Sequence, residues 1–173
     1  MKNPAPIVIA LLLLFIIAIS VYTYKSEDTV IQNVSEVAKT TFHSNKEITT
    51  NYNNSGLAFF LPEGLEVEEE DANNAILTSG DQTYIVFYNQ FEAPISDLNY
   101  LSASNDEAVL LESYEDDHKF GYVRLMPSES HEYELQVGIG GVKITTFTTT
   151  GTMERDTEQS MLIARSIVES EEN

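Results

Sequence analysis

The chain has 173 residues, with 9 Lys+Arg against 28 Asp+Glu for a formal net charge of −19, and it contains no cysteine. Without cysteine there can be no disulfide, thiolate nucleophile, zinc–thiolate site or acylated lipoprotein anchor. The negative charge repels DNA, RNA and anionic lipid head groups at long range, so nucleic-acid binding is excluded as a function.

Ile7 to Tyr22 form an unbroken apolar run whose one polar interruption is Ser20. Ala5 to Tyr24 reaches the roughly 20 residues that a membrane-spanning helix needs. Pro6 falls in the first turn, where a missing N–H is tolerated. Tyr22 and Tyr24 fall at an interface, and Lys25 can snorkel toward head groups. The competing reading is a cleaved signal peptide, with Lys2 ahead of an apolar stretch Ile7 to Ile19 and Ala18-Ile19-Ser20 as the cleavage site. The expectation is a retained transmembrane anchor over residues 1–25. The few residues before it are too short to fold, so the N-terminus is placed inside the cell and the bulk of the chain outside, in a disulfide-free envelope of Gram-positive type. Beyond Lys2 and Lys25, seven basic residues face all 28 acidic ones, net −21, a surplus read first as solubility.

Residues 26–55 are expected to be a stalk helix and linker. Ser26 or Asp28 caps a helix with Val30, Ile31, Val34, Val37, Ala38 and Phe42 at helical spacing; it either extends the anchor, lies along the bilayer or packs on the domain. His43 to Ser55 is polar and reads as a linker, with Ile48 and Tyr52 in a short edge strand. The domain proper is placed at 56–170, with a charged tail over 171–173. In it the period changes to two. Leu57 to Leu61 ends at the turn Pro62-Glu63-Gly64, Leu65 to Glu68 alternates, and Ala75–Thr78 and Gln82–Gln90 flank the hairpin signal Ser79-Gly80-Asp81. The second of these is aromatic and β-branched on both faces, as a central covered strand should be, in a sheet with helices over one face and outward Glu, Thr and Gln on the other. Ser96 is expected to cap a short helix through Leu101.

Val109–Tyr114 and Phe120–Met126 then make a hairpin around Glu115 to His118. His131–Ile139 is the cleanest alternation, with Tyr133, Leu135, Val137 and Ile139 inward and Glu132, Glu134 and Gln136 outward. Gly140-Gly141 turns into Val142–Thr149. Thr152 opens a final helix striped by Thr157, Met161, Ala164 and Val168, with Leu162 and Ile167 beside it. The predicted fold is α+β: an antiparallel sheet of about seven strands covered by a C-terminal helix, behind one N-terminal transmembrane helix.

This order of elements resembles the PsbP-like fold. The likeness is carried by the Leu61-Pro62-Glu63-Gly64 turn, the strand with Tyr84 to Tyr88, two long antiparallel strands and the closing pattern Met161 to Ile167. That fold is shared by oxygen-evolving-complex accessory proteins, a Ran-binding nuclear import cofactor and many bacterial envelope proteins. The resemblance implies a non-enzymatic binding or assembly module, and none of the family's binding residues match position by position.

The residues themselves name no reaction. His43, His118 and His131 lie in a linker, a turn and a strand start, and no G-x-S-x-G elbow is present. Asp116-Asp117-His118 reads as a solvated turn before it reads as a metal site. Glu66 to Asp71 supplies carboxylates without the alternating, glycine-hinged spacing of a calcium loop. Gly138 to Gly141 leads into a strand and so has no phosphate-cradling meaning. Phe59, Phe60, Tyr84, Phe87 and Tyr88 are read as core, with tyrosines on an uncovered face as a binding patch. No catalytic residue and no cofactor is therefore assigned, and the metal question stays open. The expected function is a membrane-anchored, extracytoplasmic, non-catalytic module for a cell-envelope protein or cell-wall component. Behind it stand an acidic cation-binding or sensing domain acting through a membrane partner, and an envelope hydrolase using carboxylates.

Overall fold

The computed structural model describes residues 5–23, 26–54, 56–104, 107–130 and 132–170. His131, Tyr24, Lys25 and the tail 171–173, each of which entered the reading above, lie outside the described residues, as do the side chains of Ile7, Ser20 and Tyr22. The elements in order are α1 (Ala5–Thr23), α2 (Glu27–Phe42), β1 (Tyr52–Asn54), β2 (Leu57–Phe59), β3 (Glu66–Glu70), β4 (Asn74–Ser79), β5 (Gln82–Tyr88), α3 (Leu98–Ala103), β6 (Leu110–Glu115), β7 (Phe120–Pro127), β8 (Tyr133–Ile139), β9 (Val142–Thr148) and α4 (Met153–Ser170).

Seven strands form one antiparallel sheet in the order β3-β4-β5-β9-β8-β7-β6, and β1 pairs separately with β2. The fold is α+β with a C-terminal helix closing the sheet, as the periodicities predict. Two meanders, β3-β4-β5 and β6 to β9, join where β5 pairs with β9. Tight turns at Gly80 and Gly140 take φ values of 60° and 51°, open to glycine at no steric cost. The β8 alternation is as expected, with Tyr133, Leu135, Val137 and Ile139 all buried.

One face of the sheet carries the core. Leu77, Tyr84, Val86, Val123, Leu125, Leu135, Val137 and Ile144 point into it and meet α2 and α4. Among the described residues no long helix lies over the other face, so helices cover one face as read, though that face carries Ile85, Phe87 and Phe147 beside its polar residues. Tyr84, Val86 and Tyr88 are buried, while Ile85 is 52% exposed on the open face. A both-sided apolar strand here reflects an apolar open face, not a second layer.

A correction concerns α2. Ser26 caps it, accepting from the Thr29 N–H at 3.4 Å, and Glu27 and Asp28 in the first turn complement the helix dipole. Val30, Val34, Ala38 and Phe42 recur every four residues on one stripe and are buried in the shared core. α2 packs along α4, so residues 26–55 are no separate stalk. Arg165, buried on α4, donates to the Thr41 carbonyl at 3.0 Å and the Lys46 carbonyl at 3.3 Å, tying down the end of α2 and the segment after it. Asn51 Nδ2 donates to the Leu61 carbonyl at 3.0 Å and its Oδ1 accepts from the Leu61 N–H at 2.6 Å, which seats the presumed linker on the β2 end. The polar composition of 43–55 satisfies backbone groups instead of marking a boundary.

Among the described residues no helix is both long and apolar enough to cross a membrane. α1 comes nearest: it is uncharged and 19 residues long, a rise of about 28 Å against a hydrocarbon core of about 30 Å. Its large side chains from Val8 to Ile17 are 53 to 67% exposed.

Candidate functional site

The first candidate cluster, Asp116-Asp117-His118, forms a turn held by its own side chain. Asp116 Oδ1 accepts from the N–H groups of His118 and Lys119, both at 2.9 Å, and Lys119 Nζ stands 3.6 Å from Asp116. Burial works to raise the Asp116 carboxyl, but the two N–H bonds and the Lys119 charge outweigh it and hold the group below its ordinary value. Asp71 is built the same way. Its carboxylate accepts from the N–H groups of Asn73 and Asn74, each at 2.8 Å, and those bonds lower its pKa. Glu70 accepts from the Tyr52 hydroxyl and the Asn54 amide. Among the described residues no group of three or more His, Asp or Glu side chains is arranged to hold a metal ion.

Among the described residues, neither His43 nor His118 has a hydrogen bond to a serine or threonine hydroxyl. His43 follows α2 with its ring edge-on to Phe42, centroids 4.9 Å apart, and His118 is exposed on the β6–β7 turn. The Gly138 to Gly141 stretch is the end of β8 and a turn, as read. Phe59 and Tyr84 are core, Phe60 is half-buried, Phe87 lies half-exposed on the open face under Lys143 Nζ at 5.5 Å, and Tyr88 lines a cleft at one pole.

Among the described residues the fully buried carboxylate is Asp156, in the first turn of α4. It accepts from Thr148 Oγ1 at 2.6 Å, Tyr84 Oη at 2.9 Å, Gln82 Nε2 at 3.0 Å and Arg155 Nη2 at 3.0 Å. Burial opposes the charge, yet these donors win and the carboxyl stays below its usual range. Burial raises the partner Tyr84, with the Asp156 charge adding to it, so the phenol stays protonated and donates. Four donors occupy the carboxylate oxygens, leaving no free lone pair to take a proton from a substrate. The cluster fastens α4 to β5 and β9, and its signal in the sequence is an acid one turn into a helix whose neighbours are apolar.

What remains as an open, shaped surface lies at the pole where β5 ends. The connection from β5 to β6 spans residues 89–109, because β5 sits beside β9 while β6 is the far edge strand. It must traverse four strand spacings, about 19 Å. It does so across the β8–β9 turn and then down the open face as α3, where Tyr100 stacks edge-on to Phe120 and Tyr122. A cleft of about 460 Å³ opens under it, lined by Tyr88, Gln90, Phe91, Glu92, Ala93, Pro94, Gly141 and Val168. Asp97, not Ser96, takes the cap position of α3, and Ser96 Oγ accepts from the Leu98 N–H at 3.4 Å. Periodicity does not single out this connection, since its apolar residues are spaced by turn formers; the available signal is four large apolar residues in a segment too rich in Asn, Pro and Ser to be core.

A second cleft of about 450 Å³ lies between the end of α2 and α4, with Thr41, Ser44, Ile48, Phe60, Leu162 and Arg165 on its walls. Its one buried cation, Arg165, is already occupied by two carbonyls and by Glu169 at 2.8 Å.

Compared with protein-family models, with curated proteins and with solved structures, the chain matches none.

Proposed function

We propose that this protein is a single-pass, membrane-tethered extracytoplasmic domain that acts by binding a partner and not by catalysis. The observation that carries the reading is α1, a charge-free helix of 19 residues whose large apolar side chains from Val8 to Ile17 are more than half exposed. A helix apolar on every side is stable only where something apolar surrounds it, and a lipid bilayer supplies that without a protein groove. Its 28 Å reaches nearly across the hydrocarbon, and local thinning or the flanking Tyr and Lys residues absorb a mismatch of that size. Only residues 24–26 separate α1 from α2, so the domain is held close to the surface. The non-catalytic part is supported by the saturated Asp156 carboxylate and the self-satisfied turns at Asp71 and Asp116. The PsbP-like resemblance belongs to this reading and rests on the sequence motifs that carry it, the Leu61-Pro62-Glu63-Gly64 turn and the Met161 to Ile167 pattern.

The test is alkaline carbonate extraction of membranes combined with protease treatment of intact cells. The protein is expected to stay in the membrane pellet and its domain to be cut from outside. Release into the supernatant would remove the anchor, and protection of the domain until lysis would remove the orientation.

A further inference from the structure

We infer that the connection between β5 and α3 is a rigid docking element for a protein partner whose apolar cleft is rimmed by Lys and Arg. The inference rests on the binding-module reading above and adds where on the domain the partner sits and what chemistry it brings. The observation is a contradiction within one segment. Phe91 is 90% exposed, and Ile95, Leu98 and Leu101 are between 56 and 62% exposed, so four large apolar side chains face solvent within eleven residues. Exposed apolar loops left without a purpose would be loosely held. This one is braced at every turn.

Asn89 accepts from the Phe91 N–H at 3.2 Å through its Oδ1 and donates to Glu92 at 2.8 Å. Ser96 donates to the same Glu92 at 2.9 Å. The Pro94 carbonyl accepts from the Phe120 N–H at 2.9 Å, and Asn99 Nδ2 donates to the Gly140 carbonyl at 2.8 Å. The backbone lies so close on the β8–β9 turn that a Cβ at Gly140 would stand 2.7 Å from Pro94 Cα. Aromatic and aliphatic side chains fixed in place before binding lose little entropy on association, which is the property of an interface hot spot.

Charge and position select the occupant. Glu92 and Asp97 lie within the segment, and the Pro94–Phe120 bond brings Glu115 at the end of β6 and Asp116 and Asp117 of the β6–β7 turn beside it. The cations nearby are already engaged, Lys119 by Asp116 at 3.6 Å and Glu169 at 3.7 Å and Lys143 over the Phe87 ring, and the segment itself contains no Lys or Arg. A partner meeting this pole must complement carboxylates around its apolar contact. A second copy of the chain would set the same acids against each other. A bilayer rich in anionic lipid is repelled, and it lies on the other side: Tyr133, at the opposite pole, donates its hydroxyl to the carboxylate of Glu27 in the first α2 turn. Residues 24–26 can extend only about 10 Å, and α2, 16 residues long, carries the chain about 24 Å from that end.

The experiment places a benzophenone amino acid at Phe91 or Leu98 of the full chain in its own membranes, with Ile85 and Phe147 on the open sheet face and Glu129 at the tether pole as comparison sites. Irradiation is expected to give a protein adduct from positions 91 and 98 at least fivefold above that from the other three. The adduct should fall at least threefold in 1 M salt, and its mapped partner peptide should carry Lys or Arg beside apolar residues. The synthetic form of that peptide should bind the purified chain at least tenfold more weakly after Phe91→Asp, a change at an exposed site that leaves the melting temperature within about two degrees. An adduct of twice the chain's mass, adducts to lipid, or an acidic partner peptide would overturn the assignment. Adducts from 85 or 147 but not from 91 or 98 would refute the loop and spare the binding reading. Adducts from no site would refute both.

Discussion

Removal of α2 distinguishes a core helix from a stalk, and the structure sets the size of the effect. Val30, Val34 and Phe42 are at most 5% exposed, and burying each is worth about 1.5 to 3 kcal/mol, roughly 4.5 to 9 kcal/mol together. Cutting the chain after His43 also takes away the Thr41 carbonyl that Arg165 holds, leaving a buried guanidinium short of an acceptor, and breaking a buried charged contact costs about 3 kcal/mol or more. A domain of this size is stable by about 5 to 15 kcal/mol, so a fragment 44–173 retains almost none of it, while 26–173 retains all. Phe42→Ala lies between them at about 4 kcal/mol, a shift of about 2 M in the urea midpoint for a slope near 2 kcal/mol per molar. Urea melts of the three followed by far-ultraviolet circular dichroism and tyrosine fluorescence measure this. A cooperative transition of 44–173 with its midpoint within about 1 M of that of 26–173 would refute the reasoning.

Further expectations follow from the polar interior and the close contacts. Asp156→Ala strands the Tyr84 and Thr148 hydroxyls and should cost about 3 to 5 kcal/mol in urea unfolding. Because the folded Asp156 pKa is depressed, its contribution is fully present above the unfolded value near 3.9 and is lost as pH falls through the folded value; Asp156→Asn should therefore flatten the stability profile below about pH 4. At the other extreme, burial pushes Tyr114 to about 12 and raises Tyr122 and Tyr84 as well. The stability these phenols hold is complete below about pH 10 and falls as pH rises, so absorbance at 295 nm should show them ionising together with alkaline unfolding and not before it. A Cβ at position 121 would lie 2.7 Å from the Phe42 ring; Gly121→Val should lower the melting temperature by several degrees, and Phe42→Leu in the same chain should recover part of the loss.

Elements whose information is local were legible in the sequence. The β8 alternation, the Gly80 and Gly140 turns, the Pro62 to Gly64 turn and the α4 stripe each depend on neighbours within a few residues, and each is where periodicity and turn chemistry put it. The misreadings concern partners far along the chain. The α2 stripe shows a buried face but not what buries it, and the covering helix begins more than a hundred residues later. The segment 43–55 looks like a linker because its Asn and Ser side chains serve as local hydrogen-bond partners. In β5 the open face carries Ile85 and Phe87, where outward Glu, Thr and Gln are the expectation. At the candidate site Glu92 and Asp97 are ordinary loop residues by composition, and only the crossing from β5 to the far sheet edge makes 89–104 a presented surface.

The pairing of α2 with α4 also dictates when the domain can exist at all. α2 leaves the ribosome ahead of every strand of the sheet and α4 after all of them, so the core cannot close until α4 has been made. Until then the nascent strands carry an apolar face with no helix pair over it, and α4 acts as the clasp that commits the fold.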